Sequence, residues 1–239
     1  MRIAIVTDIH GNLTALEAVL GDLKDASPDL ILHGGDLAHG GSSPAAVVDC
    51  IRELGWPGVL GNTDEMLYDR AALREFAGQS TAMQPLLPLI EEMGAATAEA
   101  LGDGRLAWLR EIPRLWSDSH VALVHASPNS LWRAPYPEAS DTDLESVYSP
   151  LEKPLAVYAH VHRSFIRHLP ALRVANSGSV SLSHDGDPRA SYLLIEDGVP
   201  AIRRVEYDVE REVKALSASG FPHWQWTAKI LAAARPQMP

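Results

Sequence analysis

The chain has 239 residues, 46% of them hydrophobic, and a formal charge of -11 at pH 7. That length and apolar content suffice to bury the core of one large domain, while the acidic balance argues against nonspecific binding to nucleic acid or an anionic membrane, each of which needs a basic face. The lone cysteine, Cys50, excludes an internal disulfide and a Cys-rich zinc site, and it fits a reducing cytosol.

Ile3-Ala4-Ile5-Val6 is a short run rich in β-branched residues and reads as a strand buried on both faces. Asp8 interrupts it too early for a secretory leader, and no apolar run approaches the roughly 20 residues of a membrane span, so the expected location is cytoplasmic. Asn12 can cap a helix on which Leu13, Leu16, Leu20 and Leu23 share one face. Ser27-Pro28-Asp29 ends that helix, and Leu30-Ile31-Leu32 follows as a strand parallel to the first in a βαβ unit. Ser43-Pro44 is a cap and first-turn pair for a helix carrying Val47, Val48, Ile51 and Leu54, after which Val59-Leu60 reads as a third strand.

From about 64 to 114 the chain is rich in Ala, Leu, Glu and Arg, with helical faces such as Leu101, Leu106 and Leu109. This stretch reads as a helical insertion or cap within a single domain spanning 1–239. Apolar runs return at Val121–Val124, Leu155–Tyr158, Leu172–Ala175 and Tyr192–Ile195. The turn chemistry of Asp185-Gly186-Asp187-Pro188 predicts that the last two pair as a hairpin. A helical tail over about 207–235 closes the chain, and Trp224 and Trp226 are expected to pack it down. Trp108, Trp116 and Trp132 likewise read as core or cap packing.

The polar residues fall in a pattern. Asp8 and His10 follow the first strand, Asp36 the second and Asn62 the third; His125 follows the Val121 run, and His160 and His162 follow the Leu155 run. In a layered α/β fold all would converge at the carboxyl ends of the strands, where such folds place their sites. Carboxylate, amide and imidazole donors mixed in this way suit Mn, Fe, Zn or Ni better than an all-oxygen Ca or Mg site. Each pair alone is common in ordinary loops. Five such elements in order, each ending a strand, form a joint signal.

These residues resemble the calcineurin-like metallophosphoesterase superfamily. Its Asp-x-His, Gly-Asp, Gly-Asn, His and His-x-His pattern stands here as Asp8-Ile9-His10, Gly35-Asp36, Gly61-Asn62, His125 and His160-Val161-His162. Asn176-Ser177-Gly178-Ser179-Val180 is similar to a segment of the small prokaryotic phosphodiesterase and phosphatase branch. The resemblance implies a four-layer α/β/β/α sandwich and two divalent metal ions, Mn favoured. Asp8, His10, Asp36 and His162 would hold one ion, and Asp36, Asn62, His125 and His160 the other, with Asp36 bridging. It implies hydrolysis of a small phosphorylated substrate, a monoester or diester, by in-line attack of a hydroxide shared between ions roughly 3.5–4 Å apart. The ions would also lend the positive charge that draws a phosphate into an acidic protein.

Two departures bear on the chemistry. Thr63 stands where the family has a histidine that protonates the leaving group, and a threonine cannot act as an acid near neutral pH. Asp64 and His39 are the candidate acids in its place, unless the substrates are aryl esters or anhydrides that need none. His184 stands where the branch has an arginine, and with Asn12 and Asn62 it is a candidate substrate contact. The missing histidine also leaves open a second reading, a non-catalytic metal-binding interaction module on the same fold.

Overall fold

The computed structural model describes residues 1–239. In chain order its elements are β1 (Arg2–Val6), α1 (Leu13–Ala26), β2 (Leu30–His33), α2 (Pro44–Leu54), α3 (Asn62–Glu65), α4 (Ala71–Gly78) and α5 (Leu87–Arg110). Then come β3 (Leu115–Ser117), β4 (Val121–Val124), α6 (Asp141–Tyr148), β5 (Leu155–Tyr158), β6 (Phe165–His168) and β7 (Arg173–Asn176). The chain ends with β8 (Ala190–Glu196), β9 (Val199–Val205), α7 (Val209–Ala218) and α8 (Trp224–Ala233). The strands form two sheets, one ordered β2-β1-β8-β9 and the other β3-β4-β5-β7-β6.

Strand alternation builds the layers, because successive side chains point to opposite faces. Ile3 and Ile5 of β1 meet Val121, Leu123, Leu155 and Val157 of β4 and β5 in a core between the two sheets. Ala4 and Val6 point the other way, into a larger core with Leu16 and Val19 of α1, Val47 and Ile51 of α2, and Leu101 and Leu109 of α5. On the far side of the second sheet, Ala156, Tyr158 and Val174 pack against Leu144 and Tyr148 of α6. The result is helix, sheet, sheet, helix. A fourth cluster, built on Met93, Leu216, Phe221 and Leu231, fastens α7 and α8 to α5, and Trp224 and Trp226 pack against it.

The βαβ unit is as expected, with Ile3 to Val6 paired in parallel with Leu30 to His33. Asn12 caps α1, its side-chain oxygen accepting from the Ala15 amide at 2.8 Å. Ser43 occupies the cap position of α2 without a side-chain capping bond; its hydroxyl lies 3.2 Å from that of Ser42. Val59-Leu60 is not a strand. The segment touches β2 at an isolated bridge between His33 and Gly58, and the Leu60 amide then turns away to the Pro113 carbonyl. Within the helical stretch, Gly102 leaves the helical conformation at φ 68°, which kinks α5.

The expected hairpin of the last two apolar runs does not form. Runs 172–175 and 192–195 lie in different sheets, β7 between β5 and β6, and β8 between β1 and β9. The hairpin partner of β8 is β9, through a two-residue turn at Asp197 (φ 48°) and Gly198 (φ 78°). Positive φ at both turn residues gives the twist that tight hairpins require, and Asp-Gly supplies it. Residues 177–189 instead cross from one sheet to the other.

Asp22 of α1 ties the helix layer to this hairpin. The Tyr192 hydroxyl donates to it at 2.6 Å, and the Arg203 guanidinium at 2.7 Å. Partial burial opposes ionisation, but the hydrogen bonds from Arg203 and Tyr192 win, holding the carboxyl below its ordinary 3.8. A depressed carboxylate stabilises the fold above its unfolded pKa, and the contribution fades as the pH falls through the folded value. Asp22→Asn should therefore lose up to about 1 kcal/mol at pH 7, given the half-exposed arginine. Urea melts should show that difference intact above about pH 4 and vanishing in stronger acid.

Candidate metal centre

The candidate ligand residues come together at the carboxyl ends of β1, β2, β4 and β5, joined by Asn62 from the start of α3. One oxygen or ring nitrogen from each of Asp8, His10, Asp36 and His162 lies within 4.8 Å of the others, and all four residues are buried. Beside them Asn62 Oδ1 lies 2.8 Å from His125 Nε2 and 2.9 Å from His160 Nδ1. Asp36 stands between the two groups: Oδ2 is 3.7 Å from His10 Nε2, and Oδ1 is 3.5 Å from His125 Nε2.

Hydrogen bonds to backbone fix which ring nitrogens face inward. His10 Nδ1 donates to the His39 carbonyl at 2.7 Å, His125 Nδ1 to the Gly34 carbonyl at 2.8 Å, and His162 Nδ1 to the Leu182 carbonyl at 2.6 Å. A carbonyl can only accept, so each ring carries a proton on Nδ1 and turns Nε2 toward its neighbours, as a lone pair wherever the ring is neutral. His10 Nε2 then faces His162 Nε2 at 3.2 Å, and His125 Nε2 faces the Asn62 oxygen. Acceptors facing acceptors repel unless a proton or a metal cation lies among them. The donor set fits divalent ions, with outer hydrogen bonds that orient each imidazole as metal-ligating histidines require.

The backbone is bent to achieve this. Asp8 (φ 55°), His10 (φ 51°), Asp36 (φ 54°), His160 (φ 67°) and His162 (φ 54°) all adopt the left-handed conformation. Residues with a Cβ avoid it at a cost of roughly 1–2 kcal/mol each, and strain of this kind collects at functional sites. Lateral hydrogen bonds hold the loops so. The amides of Asp8, His10 and Gly11 donate to the carbonyls of Gly35, Asp36 and Leu37 at 3.0, 2.9 and 2.8 Å. Gly61 is needed as well, because a Cβ there would sit 2.1 Å from Asp36 Oδ1.

Electrostatics follow the same geometry. Burial works against the Asp8 charge, but the adjacent histidines, His162 first, hold the carboxyl far below its usual range. Burial pushes His160 down to about 4 and lowers His10, favouring neutral rings. His162, 3.3 Å from Asp8, is raised despite its burial because that carboxylate faces it.

The other predicted site residues divide. His39 lines a cavity that opens from the ligands. Its ring lies 3.3 Å from the Thr97 hydroxyl, and burial pushes it down to about 3. His184 leans on His162 with ring centroids 4.8 Å apart. Asn12 is fully buried, its oxygen capping α1 and its amide donating to Ser181 at 3.1 Å. Asp64 is also fully buried and does not cap a helix. Its Oδ1 accepts from the amides of Leu37 at 2.9 Å and Ala38 at 3.4 Å. Burial, with Asp36 nearby, pushes this carboxyl up to about 7.

Several supporting residues had no role assigned from sequence, although Asn176, Ser177 and Ser179 lie in the segment that resembles the prokaryotic branch. Thr7 donates to Asp8 Oδ2 at 2.7 Å and meets the Ser177 hydroxyl at 2.7 Å. Ser179 donates to the Asp8 carbonyl at 2.9 Å, and Asn176 to the Ala159 carbonyl at 2.6 Å. The crossing segment 176–183 thus braces two ligand loops at once. Trp132 and Trp226, read as packing residues, line the cavity.

Residues 1–164 match the calcineurin-like phosphoesterase family, and the chain belongs to it. Over 98% of its length the chain is similar to a metallophosphoesterase from Sphaerobacter thermophilus, covering 99% of that structure at 28% identity and a TM-score of 0.80. Protein PH1004 from Pyrococcus horikoshii OT3 shares the fold, with a TM-score of 0.83 at 19% identity over 99% of both chains. The uncharacterized protein MJ0912 of Methanocaldococcus jannaschii is 26% identical over 93% of this chain and 94% of its own. Family and ligand cluster together define a phosphoesterase that works with metal ions. No helix is long and apolar enough to cross a membrane.

Binding to an assembled site should stabilise the fold by mass action, by about 2.7 kcal/mol when the free ion is at 100 times its Kd. Thermal melts should therefore rise with added Mn and fall back with chelator. Gly61→Ala, which drives a methyl group against Asp36, should abolish the Mn-dependent rise.

Proposed function

We propose that the protein is a hydrolase of phosphomonoesters or phosphodiesters that uses two divalent ions, Mn favoured. Asp8, His10, Asp36 and His162 would hold one ion, and Asp36, Asn62, His125 and His160 the other. The observation that carries this reading is the set of inward lone pairs on His10, His125, His162 and Asn62, gathered around the two oxygens of Asp36. When bound, the ions supply the positive charge that attracts a phosphate and the acidity that turns water into a nucleophile near neutral pH.

The chain's own residues orient and exclude. Asp36 is kept in place by the Thr63 amide, which donates to its Oδ1 at 2.9 Å. Asp64 acts as a positioning residue, holding the loop after Asp36 through the Leu37 and Ala38 amides. His39 does the same for His10 through its carbonyl. With Asp64 sealed from the cavity and Thr63 unable to donate a proton at neutral pH, the arrangement suits leaving groups that depart unaided, such as phenols or anhydrides.

Mn-loaded protein should hydrolyse p-nitrophenyl phosphate or bis-p-nitrophenyl phosphate, and Asp36→Asn should reduce the rate to background. Metal uptake with no turnover on either ester would instead favour the binding-module reading. For Asp64, replacement by Asn keeps an acceptor for the Leu37 amide, whereas Ala removes it. Asp64→Asn should therefore retain most of the activity and Asp64→Ala should lose about tenfold or more. Equal losses, with the alkaline limb of the pH profile displaced, would mark Asp64 as an acid after all.

A further inference from the structure

A cavity of about 340 Å³ opens directly from the ligand cluster, with His10, Asn62 and His160 at one end. Away from them its wall turns apolar, formed by side chains such as Met66, Phe76, Met93, Trp132, Trp226 and Ile230. These come from α4, α5, α8 and the segments after α3 and β4, so elements distant in sequence converge on one space. No Asp, Glu, Lys or Arg side chain lines it, in a chain that is 21% charged. Outside the wall, Glu65 accepts from the Trp132 indole at 3.2 Å, fixing the ring from behind.

A phosphoryl group at the ligands would have this half-open space beside it for its ester substituent. A second phosphate, a carboxylate or an ammonium would lose its water there and find no opposite charge, which is strongly unfavourable. An uncharged ring gains from leaving water, and methionine side chains adapt to its shape. An apolar cavity of about 150 Å³ already holds benzene, so this one has room for up to about two fused rings.

We infer that the substrate is a phosphoester whose organic group is uncharged and mainly apolar, an arene or a comparable alkyl group, seated in this cavity. The inference rests on the hydrolase reading and narrows it to a substrate class.

The test gives Mn-loaded protein pairs of aryl phosphates matched in phenol acidity. One ring of each pair is neutral, and the other bears a sulfonate or a trimethylammonium group. Matching the phenols removes the leaving group's own reactivity from the comparison. The kcat/KM should favour the neutral ring by about 10–100-fold, and Ile230→Glu, which places a carboxylate in the wall, should lower that ratio at least about tenfold. Binding of 1-naphthol to the loaded protein, followed by quenching of tryptophan fluorescence, should weaken in the same variant. Should Ile230→Glu fail to fold by circular dichroism, Met93→Gln replaces it, and the wild-type ratio decides in either case. A ratio near one, or one favouring a charged ring, overturns the inference and leaves the hydrolase reading standing. Absence of turnover on every ester overturns both.

Discussion

Electron pairs held face to face are the constraint on which the rest of the site depends. His10, His125 and His162 each spend their ring proton on a backbone carbonyl, and the carbonyls belong to the loops that neighbour them. Each loop therefore fixes the tautomer and orientation of a ligand on another loop, and none can relax alone. The inward nitrogens are left to oppose one another and the Asn62 oxygen, an arrangement that only positive charge relieves. Burial strengthens the effect, since the low local dielectric that would weaken a lone charge magnifies the pull of a bound cation.

Holding such a cluster together costs conformational energy, and the two-sheet architecture supplies the offset. Five candidate ligand residues sit in left-handed backbone, and Gly35 and Gly61 bring their loops so close that a Cβ on Gly35 would meet the Gly61 backbone at 2.4 Å. The strands beneath are anchored by the cores on either side of them, so the loops leave a rigid sheet edge. The segment 176–183, passing from one sheet to the other, adds Ser179 and Asn176 as struts below Asp8 and Ala159. Fold and site are thus one mechanical problem: the sandwich brings the strand ends together, and the crossing keeps them together.

Much of this was legible from residue pattern. β1, β2, β4, β5 and β8 announce themselves as apolar runs, and the polar residues after four of them form the ligand cluster. Strand partners were less legible, because pairing is a long-range property. β9 carries Pro200 and the adjacent pair Arg203-Arg204, which blur its strand pattern, while the Asp197-Gly198 turn before it was the true hairpin signal, overshadowed by Asp185-Gly186-Asp187-Pro188. Asn12 and Asp64 show a different limit. Both carry the right chemistry at the right place in the chain, yet backbone amides claim their side chains, which the spacing around Asn12 indicates as a helix cap and that around Asp64 does not. Thr7 and Ser179 hide for a similar reason: a hydroxyl becomes a strut only when the fold sets it beside a carboxylate or a carbonyl. The cavity was illegible because its wall is assembled from residues as far apart as Met66 and Ile230.

That wall links the site to the C-terminal helix, which lies beyond the region matching the family, residues 1–164. The candidate metal ligands all lie within residues 1–164, whereas Trp226 and Ile230 of the cavity wall lie beyond them. Crystals grown with Mn and measured at its absorption edge address the central claim most directly. The account predicts two anomalous peaks per chain, one among Asp8, His10 and His162, the other among Asn62, His125 and His160, with Asp36 touching both. A cluster that stays free of metal at saturating Mn, or metal found only elsewhere, would contradict it.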